Sequence, residues 1–352
     1  MSEKVNGAPN NTPKVDTRKV EINKFSLIFN KLGIYVIIVL LILLGLIVSG
    51  GQFFSASNIQ SILEASALIG MVSAGLMFVT YSGNMNDMSV PLTMAMSGVL
   101  TVQCINLGFV PALIIGIAAG ALIGFINGIM IGKFRAHPII WTWGFNLLLS
   151  GIIRVVWGGK QLYADSIAAP TEFAQRAANR FYSISRTYID INGTNVISVM
   201  AIVMIVMFAI AWFIHSRTNF GQKLKIIGTN YDVAKFSGIN CTRVLVLTYI
   251  ICGICAGIGG IFLTALRKTA SYENGTGYDF QCVTAVLLGG IQLTGGKGTA
   301  IGAFGGVLAF GILNNILSWI GMGTYPKYLV QGIVFLFIVW LNTYSNRKLG
   351  KA

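Results

Sequence analysis

Long apolar runs separated by short polar stretches dominate the chain from residue 33 onward. A bilayer span needs about 20 mainly apolar residues. That criterion predicts ten transmembrane helices, near 33–50, 58–80, 87–106, 109–132, 138–157, 196–214, 244–266, 279–293, 299–320 and 326–343. The third is interrupted and the eighth is short. The pattern predicts an all-α polytopic membrane protein with three parts: a basic, disordered cytoplasmic tail over 1–32, a transmembrane domain over 33–343, and a short cytoplasmic tail over 344–352. Two connections stand out by length: a polar one over 158–195, and a basic one over 215–243. Long loops in a compact membrane protein are more often functional than decorative.

Composition agrees with the runs. Of 352 residues, 55% are hydrophobic and 10% charged, whereas soluble domains carry charge at roughly a quarter of positions. The net charge of +14 invites a nucleic-acid reading. The basic residues, however, lie in short stretches between apolar segments, as the positive-inside rule produces, and not in one clustered footprint. With the N-terminus inside, 17 basic residues fall on the cytoplasmic side and seven on the other. Both termini are therefore expected in the cytoplasm, and no nucleic-acid partner is expected. The polar lead of some thirty residues does not read as a cleavable signal peptide.

Candidate chemistry is sparse. Cys252 and Cys255 form a C-x-x-C pair, but inside an apolar helix they read as small packing residues. Glu64, Asp87 and Arg154 are ionisable groups at membrane depth, where charge is costly and points to function; Arg154, near a helix end, can snorkel. They form no relay in series. Gly295-GKG-Thr299 fails the P-loop spacing, because Lys297 is followed by Gly298. No zincin or nucleophile-elbow motif accompanies His137 and His215. No catalytic residue, metal site or cofactor is expected in this chain.

Glycines form a different signal. Gly116, Gly120, Gly124, Gly128 and Gly132 recur every four positions, and Gly298, Gly302 and Gly306 repeat the spacing, as do Gly253 and Gly257. Such rows let helix backbones approach closely. For solute contact the sequence offers Asn84, Asp87, Ser89, Trp143 and Asn146, with Glu64 beside them. Sugar hydroxyls need paired donors and acceptors with an aromatic face.

Three segments carry a resemblance to a known family. Gly228–Ile239 (GTNYDVAKFSGI), Gly275–Gly290 (GTGYDFQCVTAVLLGG) and Leu288–Asn315 (LGGIQLTGGKGTAIGAFGGVLAFGILNN) occur in order at matching separations. They resemble the permease subunits of ribose-type sugar ABC importers, within the broader family that includes branched-chain amino acid permeases. Pro138–Gly151 and Asp87–Pro91 fit more loosely, with Trp141, Trp143 and Pro91 departing from the pattern. The resemblance implies a multi-pass protein of the bacterial cytoplasmic membrane that carries a monosaccharide. Its expected partners are an ATP-binding subunit holding ATP and Mg, an extracytoplasmic solute-binding protein, and a second permease copy or paralogue. It also implies a coupling segment over 221–240, a short cytoplasmic helix with Gly228, Asn230, Ala234, Ser237, Gly238 and Ile239 at the ATPase contact. Alternatives are a nucleoside, autoinducer or branched-chain amino acid as solute, or an ion-coupled transporter, against which the lack of charge chains argues.

Overall fold

The computed structural model describes residues 24–84, 86–191 and 194–348. The chain divides into two units, Met1–Gly33 and Ile34–Ala352, and the contacts below lie within the second. Of the expected tails, 1–23 and 349–352 lie outside the described residues, whereas 24–32 belong to a helix.

Six helices are long and apolar enough to cross a membrane: α2 (Ala56–Tyr81), α4 (Phe109–Gly132), α5 (Pro138–Trp157), α8 (Val199–Arg217), α11 (Cys241–Arg267) and α13 (Ala300–Trp319). Shorter apolar helices occupy the other four expected spans. They are the Tyr35–Val48 part of α1 (Lys24–Val48), α3 (Val90–Gln103), α12 (Tyr278–Leu288) and the Thr324–Trp340 part of α14 (Thr324–Lys348). The protein is an all-α polytopic membrane protein. The fourth and fifth expected spans coincide with α4 and α5, because Gly108, Lys133, Pro138 and Gly158 punctuate them. The interrupted third span and the short eighth are the shortest helices of the ten that fill the expected spans, α3 with 14 residues and α12 with 11.

The connections hold the remaining elements. Between α5 and α8 run α6 (Ala164–Ile167), α7 (Glu172–Ser183) and an antiparallel hairpin of β1 (Tyr188–Ile191) and β2 (Thr194–Ser198). The 158–195 connection is thus a folded cap and not a bare loop. Thr171 opens α7 by accepting from the Ala174 N–H, and Ala174, Ala177, Ala178 and Phe181 recur on one buried face. Between α8 and α11 lie α9 (Asn219–Thr229) and α10 (Tyr231–Phe236), two helices where a single short one was expected. The break falls at Asn230, whose extended backbone ends α9 and whose side chain accepts from the Val233 N–H at 3.1 Å to cap α10.

α2 is buried without interruption from Ser66 to Tyr81, as a stretch apolar all round must be, with Ser73 and Gly75 among the small residues that let neighbours close in. A Cβ at Gly75 would meet Cys252 and Cys255 of α11. Both cysteines are buried free thiols. The glycine row of α4 lies against α11: Gly120 on Gly253 and Gly257, Gly124 on Tyr249 and Ile250, and Gly128 on Val246. Gly116 abuts Ser97 and Thr101 of α3. Gly302 and Gly306 of α13 press on Gly289 and Ala285 at the end of α12. At these positions a side chain would displace a backbone, which is the close packing that association in lipid relies on.

Candidate solute passage and coupling site

α2 ends at Tyr81, Gly83 turns the chain at a φ of +82°, and α3 starts at Val90 with Pro91 in its first turn. Asp87 sits in this break with 3% exposure, and Ser89 is fully buried. The Asp87 carboxylate accepts from the Ser89 N–H at 2.9 Å and the Ser89 hydroxyl at 2.6 Å. An anion there favours the helix N-terminus. The Ser89 Oγ accepts in turn from Asn127 of α4 at 2.7 Å, and the Asn127 Oδ1 accepts from the Trp141 indole of α5 at 3.0 Å. Thr142 accepts from the Met88 N–H at 3.0 Å. This network ties the head of α3 to α4 and α5. The other candidates do not join it. Asn84 donates locally to Ser82 at 2.9 Å, and Glu64 accepts from Gln60 at 3.0 Å and pairs with the Tyr188 hydroxyl of β1. Trp143 is 59% exposed on α5. Asn146 is half-buried, with its Oδ1 lacking a partner.

A cavity of about 750 Å³ opens elsewhere, between α2, α12, α13 and α14. None of the six sequence candidates lines it. Its wall on α2 and α13 is built on Asn58. The Asn58 amide donates to the Phe53 carbonyl at 2.8 Å, while its Oδ1 accepts from Asn315 and from the Trp319 indole, both at 2.8 Å. On the facing side Gln331 of α14 donates to the Asn314 Oδ1 at 2.7 Å, and Lys327 donates to the Ser318 hydroxyl at 2.7 Å. Tyr278 and Gln281 of α12 complete the lining with Tyr328 of α14. The sequence carried a trace of this site in the paired Asn314 and Asn315. Asn58 and Trp319 stand 261 positions apart, and nothing along the chain announces that they meet.

At the opposite end of α2, α9 and α10 dock onto the bundle. Ala234 is buried within the chain's own core, as is Gly228. A Cβ at Gly228 would strike the Tyr81 carbonyl oxygen and the Gly296 nitrogen. A Cβ at Gly295 would meet the Gly83 nitrogen at 2.6 Å and the Gly228 oxygen at 2.7 Å. The Gly296 N–H donates to Tyr81 at 2.9 Å. Three backbones therefore converge here: the turn after α2, the end of α9 and the loop before α13. Small size at Gly228 and Ala234 serves this seating and does not open a surface for a partner. The outward face of α10 instead shows Val233 at 53% exposure and Phe236 at 87%. Ser237 ends α10, and Gly238 follows at a φ of +75° with open space around it. Ile239 is half-buried, its N–H donating to Ala234 at 3.1 Å. The basic connection also holds Phe220, Leu224, Ile226, Ile227 and Ile239, so nothing along the chain singled out Val233 and Phe236; their exposure does.

A bundle of apolar helices with an open cavity lined by amides and aromatic rings at one end and an exposed helical knob at the other is consistent with a membrane permease. The chain belongs to the family described as the branched-chain amino acid transport system permease component, which it matches over residues 58–339. It is similar to the ribose import permease protein RbsC of Bacillus subtilis (strain 168), 31% identical over 333 residues covering 94% of this chain and 98% of that protein. RbsC of Escherichia coli (strain K12) is 29% identical over 307 residues, 86% of this chain and 91% of its own. The fructose import permease protein FrcC of Rhizobium meliloti is 29% identical over 315 residues, 89% and 84% of the two chains. No solved structure matches the chain.

Proposed function

We propose that this chain is the membrane-spanning subunit of an ATP-driven importer that moves a monosaccharide across a bacterial cytoplasmic membrane. The observation that carries the reading is α10, a capped helix seated by Ala234 and Gly228 with Val233 and Phe236 thrust outward. Val233 and Phe236 lie three positions apart, hence side by side on one exposed face of α10, and this apolar pair suits a groove on a partner. A cytoplasmic ATP-binding subunit, holding ATP and Mg, is that partner. Similarity to ribose and fructose import permeases supports both the assembly and the solute class. The resident chemistry of this chain is positional: it binds no nucleotide and hydrolyses nothing.

Transport follows from the geometry. A solute-binding protein delivers sugar at the end bearing α6, α7 and the β1–β2 hairpin. Closure of the ATPase moves α9 and α10 as one piece, because Asn230 and Ala234 tie them to each other and to the bundle. The glycine junction at 83, 228 and 295–296 passes that movement to the end of α2 and to the loop that follows α12. Both helices line the cavity, so its two ends open alternately. A second permease copy or a paralogue completes the passage.

The test is reconstitution with the ATPase and the binding protein. Phe236→Asp places an uncompensated carboxylate in the contact. It is expected to insert normally, lose co-purification of the ATPase, and abolish sugar uptake. Wild-type assembly and uptake in both Phe236→Asp and Val233→Asp would overturn the coupling assignment.

A further inference from the structure

We propose that Arg135 is a positioning residue for transport, a clamp that carries the movement of α10 into the α4–α5 connection and on to the break before α3. The proposal rests on the importer reading above and adds to the glycine junction a second line by which the ATPase reaches the bundle.

Arg135 stands where the backbone favours glycine. After α4 the chain folds back, with the Ala136 N–H donating to the Met130 carbonyl at 3.0 Å, and Arg135 takes a φ of +59°. That left-handed conformation is free to glycine and costs a residue with a Cβ. Such strain persists only where the surroundings hold it. Here the guanidinium lies over the Tyr231 ring, 3.3 Å from its centroid. The ring face attracts the cation, and the planar guanidinium stacks there as a lysine ammonium cannot. Tyr231 is the first residue of α10, beside the Asn230 cap, so the contact joins the α4–α5 connection to the coupling helix itself.

The other end of the connection leads inward. The end of α4 is fixed to α11, where Thr242 donates to the Gly132 carbonyl at 3.1 Å and a Cβ at Gly132 would meet Leu245. Beyond it Lys133, Phe134, Arg135 and His137 are exposed, so the connection can follow α10 while α4 stays in place. Pro138 then opens α5, whose first turns carry Trp141 and Thr142. Trp141 donates to Asn127, and Thr142 accepts from the Met88 N–H, each at 3.0 Å. The break between α2 and α3 is thereby gripped at both ends, at Gly83 by the glycine junction and at Met88 by α5.

The experiment uses the importer reconstituted with its ATPase and binding protein. It reads the stimulation of ATP hydrolysis by ribose-loaded binding protein, co-purification of the ATPase, and the Tm. Arg135→Gly is the decisive variant, since it relieves the backbone while removing the clamp. It is expected to keep or raise the Tm and to keep the ATPase bound. Its stimulation should fall roughly two- to five-fold, the range of an exposed cation–π pair. Tyr231→Phe, which keeps the ring, should respond as wild type. Tyr231→Leu should fall as Arg135→Gly does, and the double variant no further, because both remove one contact. Thr142→Val, similar in shape but without the acceptor for Met88, should show a comparable fall. Wild-type stimulation in Arg135→Gly or in Thr142→Val overturns the clamp, as does a double variant that loses the sum of the two singles. A lower Tm or a lost ATPase in Arg135→Gly overturns it too, by making Arg135 a brace of the fold; in each of these cases the importer reading stands. If wild type itself shows no stimulation, the importer reading falls and takes the clamp with it.

Discussion

Replacing Asn58 with alanine strands three groups at once: the Phe53 carbonyl, the Trp319 indole and the amide of Asn315. Water in the open cavity reaches some of them, so the expected loss is about 2–4 kcal/mol and not three full penalties. Thermal unfolding of the purified protein in detergent should show a clearly lower Tm, and an unchanged Tm would mean the three bonds are not formed together. Trp143→Ala makes the opposite case. Its side chain stands 59% exposed on α5, so uptake is expected to remain at the wild-type level; a strong loss would restore Trp143 to the passage. The sequence showed that Trp143 was aromatic and had a polar tip. Thr142, Asn146, Ser150 and Arg154 recur every four positions and mark one face of α5, with Trp143 off that row. The row alone did not show which face turns inward, because lipid accepts what a core accepts. The buried face is marked by Thr142, whose hydroxyl accepts from Met88 across the α2–α3 break. Asp87 and Ser89 were legible as unusual groups at membrane depth, but their role in holding the head of α3 needed Asn127, some 38 positions away.

Helices were legible where one physical demand dominates. Lipid requires a continuous apolar run with its backbone satisfied internally, and Gly and Pro mark the ends, so α4 and α5 were fixed to the residue. α3 and α12 were less distinct because each falls short of a full span, with 14 and 11 residues, and is flanked by polar breaks that hydropathy averages away. The α6–α7 cap was missed for the reverse reason. Its signal is an amphipathic spacing of small residues, Ala174, Ala177, Ala178 and Phe181, which is weak beside the apolar runs. Pairing of elements was legible only through glycine. Gly120→Leu places a branched side chain where the carbonyl of Gly253 lies, and overpacking of this kind costs typically 1–3 kcal/mol or more. Folded, monodisperse protein is expected to be lost. Gly144→Leu and Gly151→Leu, on α5 with nothing within 4 Å, should purify normally. Equal yields from all three would show that α4 and α11 do not meet along the glycine row.

Across the whole molecule, the charge asymmetry and the alternation of helices predict that the end of the bundle bearing α9 and α10 faces the cytoplasm. Cysteines at Ser183 and Lys235, both exposed, should label from opposite sides, Ser183→Cys from outside; labelling from one side would overturn the topology. The sequence assigned Gly228 and Ala234 to a partner contact, whereas both are buried against the chain's own core; smallness alone does not say whether a residue makes room for a partner or for its own chain. That distinction gives the two faces of α9–α10 different phenotypes. Phe236 faces outward, so Phe236→Asp is expected to break assembly. Gly228 faces inward, against Tyr81 and Gly296, so Gly228→Ala leaves Val233 and Phe236 untouched while wedging the junction apart. The Gly228→Ala complex should therefore assemble with the ATPase and hydrolyse ATP at the basal rate. It should fail to respond to loaded binding protein, since the end of α2 and the loop after α12 no longer move with α9. Gly238→Val separates the two effects further. Gly238 has open space around it, and the cost there is conformational, about 1–2 kcal/mol for a side chain forced to positive φ, so local loosening of the α10 end is expected without a wedge at the junction. Co-purification and ATPase stimulation, measured side by side on the three variants, decide the matter. Stimulation in Gly228→Ala equal to wild type would mean that the converging backbones at 83, 228 and 295 are a static brace, and that ATP-driven movement reaches α2 and α12 by another route.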